Sequence, residues 1–386
     1  MALSLLSYDV TDLCLAKPPL RCLSASSSSV SDAIAALKSS EGPFLSVWNC
    51  NHDHDDVADC ECLGKISMAD VICHLSKEEV HTLSALNSPV SVLLPTSRSP
   101  VLHVQPSCSL VEAIDLIIQG AQNLIVPIQT KTSTKKRQQN DNVSATTTTT
   151  HSNGQRFCWI TQEDIVRFLL GCIAAFSHLP SMSISDLGII NSSHAILAVD
   201  YNSSATVVVS AISRALADQT SVAIVEGEGD DSPMYLIGEI SPMTLSCCDE
   251  TAAAAVATLS AGYLMEYLDG VNPPESLVQE VRDRLESKGL MGLLSLLDSL
   301  SLSPTSGYSS DEESSPARAF GRTMSMSTRM ARKAEAVVCN PKSSLMAVMI
   351  QAITHRTSYT WVIDKDGCFV GMVTFVDILK VFRKFL

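Results

Sequence analysis

Gly371-Met372-Val373-Thr374-Phe375-Val376-Asp377 reads as a strand end running into the first turn of a helix. Thr374 opens that helix and Asp377 follows three residues on, so a hydroxyl and a carboxylate can face one ligand. The hydroxyl can hydrogen-bond a phosphate near the positive helix end, and the carboxylate can accept from the two hydroxyls of a ribose. The phrase recurs as Gly64-Lys65-Ile66-Ser67-Met68-Ala69-Asp70 and, with the glycine lost, as Cys158-Trp159-Ile160-Thr161-Gln162-Glu163-Asp164. A degenerate copy, Gly238-Glu239-Ile240-Ser241-Pro242-Met243-Thr244, lacks the acid. Four copies in order make a repeat architecture.

The text upstream of each copy is also shared. Ser29 to Leu37 precedes Phe44 to Trp48, and Ser109 to Ile114 begins a helix before Leu124 to Ile128. Ser204 to Leu216 precedes Ser221 to Val225, and Ser343 to Ile353 precedes Tyr359 to Ile363. The first member of each pair has a Ser start signal and apolar residues at three- and four-residue spacing, which predicts a helix. The second is a short apolar run, which predicts a buried strand. The repeating unit is therefore a strand tail, a helix, two strands and a second helix. Three units also open alike, at Val10-Thr11-Asp12-Leu13, Val90-Ser91-Val92-Leu93 and Ile184-Ser185-Asp186-Leu187.

This pattern resembles the CBS domain, named after cystathionine β-synthase. Four copies resemble the γ subunits of AMP-activated and sucrose-non-fermenting kinases, and the whole chain is similar to plant four-repeat CBS-domain proteins of that γ-like class. The resemblance implies a mixed α+β fold of two tandem CBS-pair (Bateman) modules, built from four β-α-β-β-α repeats. The repeats are expected at 1–80, 81–178, 179–270 and 335–386. A disordered hairpin insertion is expected at 131–154, and a helix plus Ser-rich disordered linker at 271–334. Residues 1–178 would form the first module, and 179–270 with 335–386 the second. The resemblance also implies adenine nucleotides, AMP, ADP or ATP, as regulatory ligands in clefts between paired repeats.

Composition agrees with a protein of a reducing, aqueous compartment. The chain of 386 residues carries 27 basic and 41 acidic residues, a net charge of −14, which repels phosphate backbones and argues against nucleic-acid binding. No uninterrupted apolar run approaches the length needed to span a bilayer, so no membrane partner is expected. Met1 to Ser7 is too short for a secretory segment, and Ser24 to Ser29 already belongs to the first repeat, so a cleaved transit peptide is not expected. Thirteen cysteines without scaffold spacing point to cytosol or nucleus.

Two segments break the rhythm. Lys131 to Gly154 is polar, and its Lys135-Lys136-Arg137 triplet reads as solvated loop before nuclear-import patch. After an Ala-rich helix from Thr251 to Leu268, Pro273-Pro274-Glu275 starts another with Leu277, Val281 and Leu285 on one stripe, continued by Leu290, Leu293, Leu294 and Leu297. That stripe either packs back on its own repeat or docks a partner. Ser303 to Met330 is Ser-rich, with Ser309-Ser310-Asp311-Glu312-Glu313 and Arg322-Thr323-Met324-Ser325 suited to kinases.

A nucleotide also needs its phosphate neutralised, and here the repeats separate. His355 and Arg356 end the first helix of the fourth repeat, similar to the His-Arg pair that contacts phosphate in kinase γ subunits. The equivalent places read Ser39-Ser40-Glu41, Gly120-Ala121-Gln122 and Ala217-Asp218-Gln219, without a basic residue. The principal expected site is Thr374, Asp377, His355 and Arg356, with backbone near Val337, Val338 and Cys339 framing the base. Ser67 with Asp70, and Thr161 with Asp164, keep only the ribose half. Each such pair can equally be a helix N-cap, contributing about 0.5–2 kcal/mol. Cys50, His52, His54, Cys60 and Cys62, with Asp53, Asp55, Asp56 and Asp59, fill one loop but lack zinc-site spacing, so a solvated acidic loop and no metal is expected. Gly227 to Asp231 reads as a turn. No phosphate-loop, His-Glu-x-x-His or Gly-x-Ser-x-Gly pattern is present, and catalysis is not expected.

Two functional classes follow. In one, the chain is a nucleotide-responsive regulator of a partner such as a kinase catalytic or β subunit, an energy sensor without chemistry of its own. In the other, it is a scaffold whose CBS pockets have decayed. Association of two copies stays open.

Overall fold

The computed structural model describes residues 8–15, 17–39, 42–50, 60–77, 81–94, 101–128, 147–149, 151, 155–192, 198–227, 233–269, 273–301 and 336–386. The expectations for Lys135 to Arg137, Ser303 to Met330 and, within the turn read at Gly227 to Asp231, Glu228 to Asp231 lie outside the described residues.

The four repeats are present, each with a three-stranded sheet. The first holds α1 (Val10–Leu13), β1 (Cys22–Ser24), α2 (Val30–Lys38), β2 (Phe44–Asn49), β3 (Glu61–Ser67) and α3 (Met68–Leu75), followed by α4 (Thr82–Asn87). The second holds β4 (Val101–His103), α5 (Leu110–Ile118), β5 (Asn123–Ile128), β6 (Arg156–Thr161) and α6 (Gln162–Gly171). The third holds β7 (Ala198–Asp200), α7 (Ala205–Asp218), β8 (Val222–Glu226), β9 (Tyr235–Ile240) and α8 (Pro242–Ser246). After it come α9 (Ala252–Thr258), α10 (Ala261–Asp269), α11 (Glu275–Lys288) and α12 (Met291–Ser301). The fourth holds β10 (Val338–Cys339), α13 (Leu345–His355), β11 (Tyr359–Ile363), β12 (Phe369–Thr374) and α14 (Phe375–Arg383). In every sheet the first strand pairs parallel to the second, and the second pairs antiparallel to the third. The parallel step needs a crossover, which the first helix of each repeat supplies.

The Ser start signals stand at the helix starts, one residue later in the fourth repeat, and all but Ser204 cap with their side chains. Ser29, Ser109 and Ser344 each accept a backbone N–H from three residues on. The predicted Ala-rich helix is two helices, because Leu259 is extended and the chain breaks before Ala261.

The chain divides into two compact units. One comprises Met1–Ile66, Pro89–His194 and Val337–Leu386, and the other Ser67–Ser88 and Ala195–Ala336. In the first unit the sheets of repeats 1 and 2 enclose Leu20, Trp48, Val101, Ile125 and Phe157. The helices of repeats 2 and 4 share one larger core that includes Ile114, Leu169, Phe176, Val348, Ile378 and Phe382. Phe176 meets Phe382 edge-on at 4.7 Å between centroids, and Arg383 forks onto Asp115 at 2.6 and 3.0 Å.

The shared opening segments explain how repeats pair. Each is a short turn that docks on the other repeat of its pair, at the start of that repeat's first helix. Val10 N–H donates to the Cys108 carbonyl at 2.9 Å, and Leu110 N–H to the Tyr8 carbonyl at 2.9 Å, so the opening of repeat 1 straps repeat 2. Val90 N–H donates to the Ser28 carbonyl at 2.9 Å, strapping repeat 1 in return. Ile184 N–H donates to the Ser343 carbonyl at 3.0 Å, strapping repeat 4. The leading apolar residue is fully buried each time. Gly371 is needed where this strap continues, since a Cβ there would lie 2.0 Å from the Asn191 carbonyl oxygen.

The second unit repeats the device. Ala261 N–H donates to the Ser203 carbonyl at 3.0 Å, at the start of α7, so α10 opens with a fourth strap. Sequence reading missed it because α11 and α12 intervene before β10. Those two helices pack inward: Leu277, Val281 and Leu285 of α11 are buried, and Arg284 Nη1 donates to the Thr258 carbonyl at 2.8 Å. The stripe on α11 is thus used within its own unit, not presented to a partner.

Candidate functional site

In all three intact copies the hydroxyl and the acid form one reciprocal box at a helix start. Thr374 donates to Asp377 Oδ2 from its hydroxyl at 2.6 Å and its N–H at 3.1 Å, and Asp377 N–H returns to Thr374 Oγ1 at 3.3 Å. Thr161 and Asp164 repeat this at 2.8, 2.7 and 3.3 Å. Ser67 donates to Asp70 Oδ2 at 2.7 Å from both its hydroxyl and its N–H. The boxes satisfy orphan helix N–H groups, and the aligned peptide dipoles favour a carboxylate there. The hydroxyl proton is therefore committed to the acid.

The degenerate copy behaves differently. Ser241 accepts from Met243 N–H at 3.1 Å, and no acid follows. Repeat 3 offers no carboxylate at this place.

In repeat 4 the fold brings the two halves of the expected site to one sheet edge. Tyr359 pairs with Thr374, and Phe375 N–H donates to the Ser358 carbonyl at 2.8 Å. His355 ends α13, and Arg356 caps it in the left-handed region at φ 54°, which turns the chain toward β11. Arg356 thereby stands two residues from the Ser358 contact at the head of α14. Both cationic side chains are exposed. Asp377 Oδ1 has Lys380 at 3.5 Å. Gln219 takes the same left-handed position at the end of α7, without a charge.

Repeat 2 meets its acid with a cation that sequence reading did not assign. Lys17, on the strap from repeat 1, lies 2.6 Å from Asp164 Oδ2, with both side chains about three-quarters buried. Cys14 on the same strap accepts from the Cys158 thiol at 3.4 Å, where the other copies have glycine. That hydrogen bond, aided by Lys17, lowers the Cys14 thiol below its ordinary value, while Cys158 is raised. Lys65 of β3 reaches Asn123 Oδ1 at 3.4 Å and lies 4.4 Å over the Phe44 ring. Asn123 pairs with Thr161, so a second cation approaches this edge. Neither lysine was legible, because each is delivered by a neighbouring repeat and not by the helix that follows its own strands.

Among the described residues, no helix is long and apolar enough to cross a membrane. The CBS-domain family profile matches residues 328–384. Over its full length the chain is 78% identical to the CBS domain-containing protein CBSX5 of Arabidopsis thaliana, covering 99% of that protein. It is 20% identical to the Arabidopsis thaliana SNF1-related protein kinase regulatory subunit gamma-like PV42b, over 84% of this chain and 76% of that one. Among solved structures, protein MJ1225 of Methanocaldococcus jannaschii, a proposed archaeal homolog of g-AMPK, superposes with a TM-score of 0.54. That match covers 97% of this chain and 100% of the other at 13% identity, and it speaks to fold alone.

Proposed function

The chain belongs to the CBS-domain-containing proteins, and from that premise we propose that it is a non-catalytic regulator binding an adenine nucleotide at its fourth repeat. The observation that carries this reading is that Tyr359 pairs with Thr374 and Phe375 N–H donates to the Ser358 carbonyl, so the chain leaving His355 and Arg356 runs to the start of α14. Asp377 holds the ribose through the oxygen that the box leaves over, and Arg356 forks onto phosphate. Ser67 with Asp70, and Thr161 with Asp164, are weaker sites, the latter already held by Lys17. Bound nucleotide biases a partner's contact by no more than its differential affinity for the two arrangements. Likeness to a γ-like kinase subunit supports a kinase catalytic or β subunit as that partner.

One observation favours a second reading, a scaffold with decayed pockets: each box is satisfied by its own chain. Calorimetric titration with AMP, ADP and ATP separates the two. The regulator reading expects micromolar binding, about −8 kcal/mol, lost in Asp377→Ala and weakened about 10- to 100-fold in Arg356→Ala. Affinities no better than millimolar for all three nucleotides would leave the scaffold.

A further inference from the structure

The loop cluster that looked solvated meets a histidine from far along the chain. Of its residues, Cys50, Cys60 and Cys62 are described, whereas His52, His54 and the acids at 53, 55, 56 and 59 lie outside the described residues. The end of the insertion, expected to be disordered, instead adds a rung to the first sheet. Thr148 N–H donates to the Cys22 carbonyl at 3.2 Å, and Cys22 N–H to the Thr148 carbonyl at 2.8 Å. This rung fixes His151, which is buried against Trp48 at 4.2 Å and Phe157 at 5.1 Å between ring centroids.

We propose that Cys50, Cys60 and His151 bind a zinc ion, at a site separate from every helix-start box. One ligand atom from each lies within 4.8 Å of the others. Cys50 Sγ is 3.6 Å from His151 Nδ1. A tetrahedral zinc with Zn–S about 2.3 Å and Zn–N about 2.0–2.1 Å has an S···N edge of about 3.5–3.6 Å. The opposite ring nitrogen, Nε2, lies 3.4 Å from Cys22 Sγ. With its proton on Nε2 the imidazole donates to Cys22 and turns the Nδ1 lone pair toward the two thiols. Such an outer partner is how metal-bound histidines are usually oriented. Two thiolates and an imidazole suit zinc, and three protein ligands leave a fourth position for water or a donor from another molecule.

A zinc ion displaces the Cys50 and Cys60 protons to solvent, and its charge compensates both thiolates. The ligands come from the ends of β2 and β3 and from the insertion, so the metal would pin the insertion to the first repeat.

The test uses the full chain, reduced, stripped with chelator and titrated with Co²⁺ as a spectroscopic stand-in for zinc. A thiolate-to-cobalt charge-transfer band is expected to saturate at one equivalent and to disappear on adding Zn²⁺. The band should fall by at least half in Cys50→Ser and in Cys60→Ser, and vanish in the double variant. Cys22→Ser should weaken binding roughly tenfold without removing the band, since it acts through His151. Cys62→Ser should change nothing. Cys50 is only half-buried, so Cys50→Ser is expected to melt with wild type in chelator, which separates metal loss from unfolding. No band at stoichiometric Co²⁺, a band surviving the double variant, or a Cys50–Cys60 disulfide forming in place of metal uptake would overturn the proposal.

Discussion

Repeats 2 and 4 share one core and carry the same helix-start box, yet their pockets are furnished in opposite ways. In repeat 2 the strap supplies side chains: Lys17 ion-pairs with Asp164, and Cys14 meets Cys158. In repeat 4 the strap approaches by its backbone. Asn191, seven residues after Ile184 as Lys17 is after Val10, exchanges hydrogen bonds of 2.8 Å with Met372. Gly371 makes the room for that approach, and Asp377 Oδ1 meets Lys380 at 3.5 Å. The difference teaches that the strap, not the box, decides what a pocket has left for a ligand. A box closed by a neighbour's lysine is a latch between repeats. One that the strap approaches by its backbone is, under the regulator reading, the one that serves a ligand.

The comparison presumes that the two repeats fold as one body, and Phe382→Ala attacks that presumption hardest. Phe382 is fully buried and edge-on to Phe176 of the second repeat. Its loss should cost about 3–5 kcal/mol, read as a lower urea midpoint with one transition for the unit. Separate transitions for repeats 2 and 4 would break the comparison at its base.

Next in size is the glycine. In Gly371→Ala the new methyl would meet Asn191 O at 2.0 Å and Asn191 C at 2.9 Å, both backbone. The strap must move, at a cost of about 1–3 kcal/mol. Cys158→Ala, at the equivalent place, should cost only about 1 kcal/mol, because there the strap already tolerates a side chain. Equal costs would mean that the two straps do not differ as described.

Much of this fold was legible. The recurrence of Gly371 to Asp377, the Ser caps and the apolar strands placed all four repeats, because local chemistry sets helix starts and strand burial. The weaker half concerned where segments dock. The openings at Val10, Val90 and Ile184 were recognised as alike, but nothing local says that each caps another repeat's helix. The fourth, at Ala261, hides inside an Ala-rich run whose helical signal overrides the break at Leu259. Lys17, Lys65 and His151 were missed for the same reason: each reaches its partner across a tertiary contact that spacing along the chain does not encode. Arg356 could be assigned from sequence because its place is fixed locally, at the turn between α13 and β11.

Ligand binding sharpens the contrast directly. Arg356→Ala should weaken adenine-nucleotide affinity about 10- to 100-fold, as expected for loss of a charge-assisted phosphate contact worth about 1.5–3 kcal/mol. Lys17→Asn copies the fourth repeat's strap residue into the second and frees Asp164. It should leave the measured affinity within about threefold and lower stability by about 0.5–1 kcal/mol, given partial exposure. A new binding event in Lys17→Asn would show that the acid alone suffices and that the missing cation at Gly120 to Gln122 does not matter.

The smallest effect separates the two straps by chemistry alone. The Cys158 thiol donates to Cys14 and lowers it, burial opposes that, and Lys17 lowers it further. As pH rises, Cys14 should therefore become thiolate, and alkylate with iodoacetamide, before an ordinary cysteine does, with Cys158 lagging because its proton is held and it is buried. Cys158→Ala removes the donated proton and should move the Cys14 profile to higher pH. Lys17→Asn should move it the same way by less. Peptide mass spectrometry across a pH series reads both shifts. If Cys158 reacted first, the hydrogen bond would run the other way, and the strap would carry its charge on the repeat and not on the segment that crosses to it.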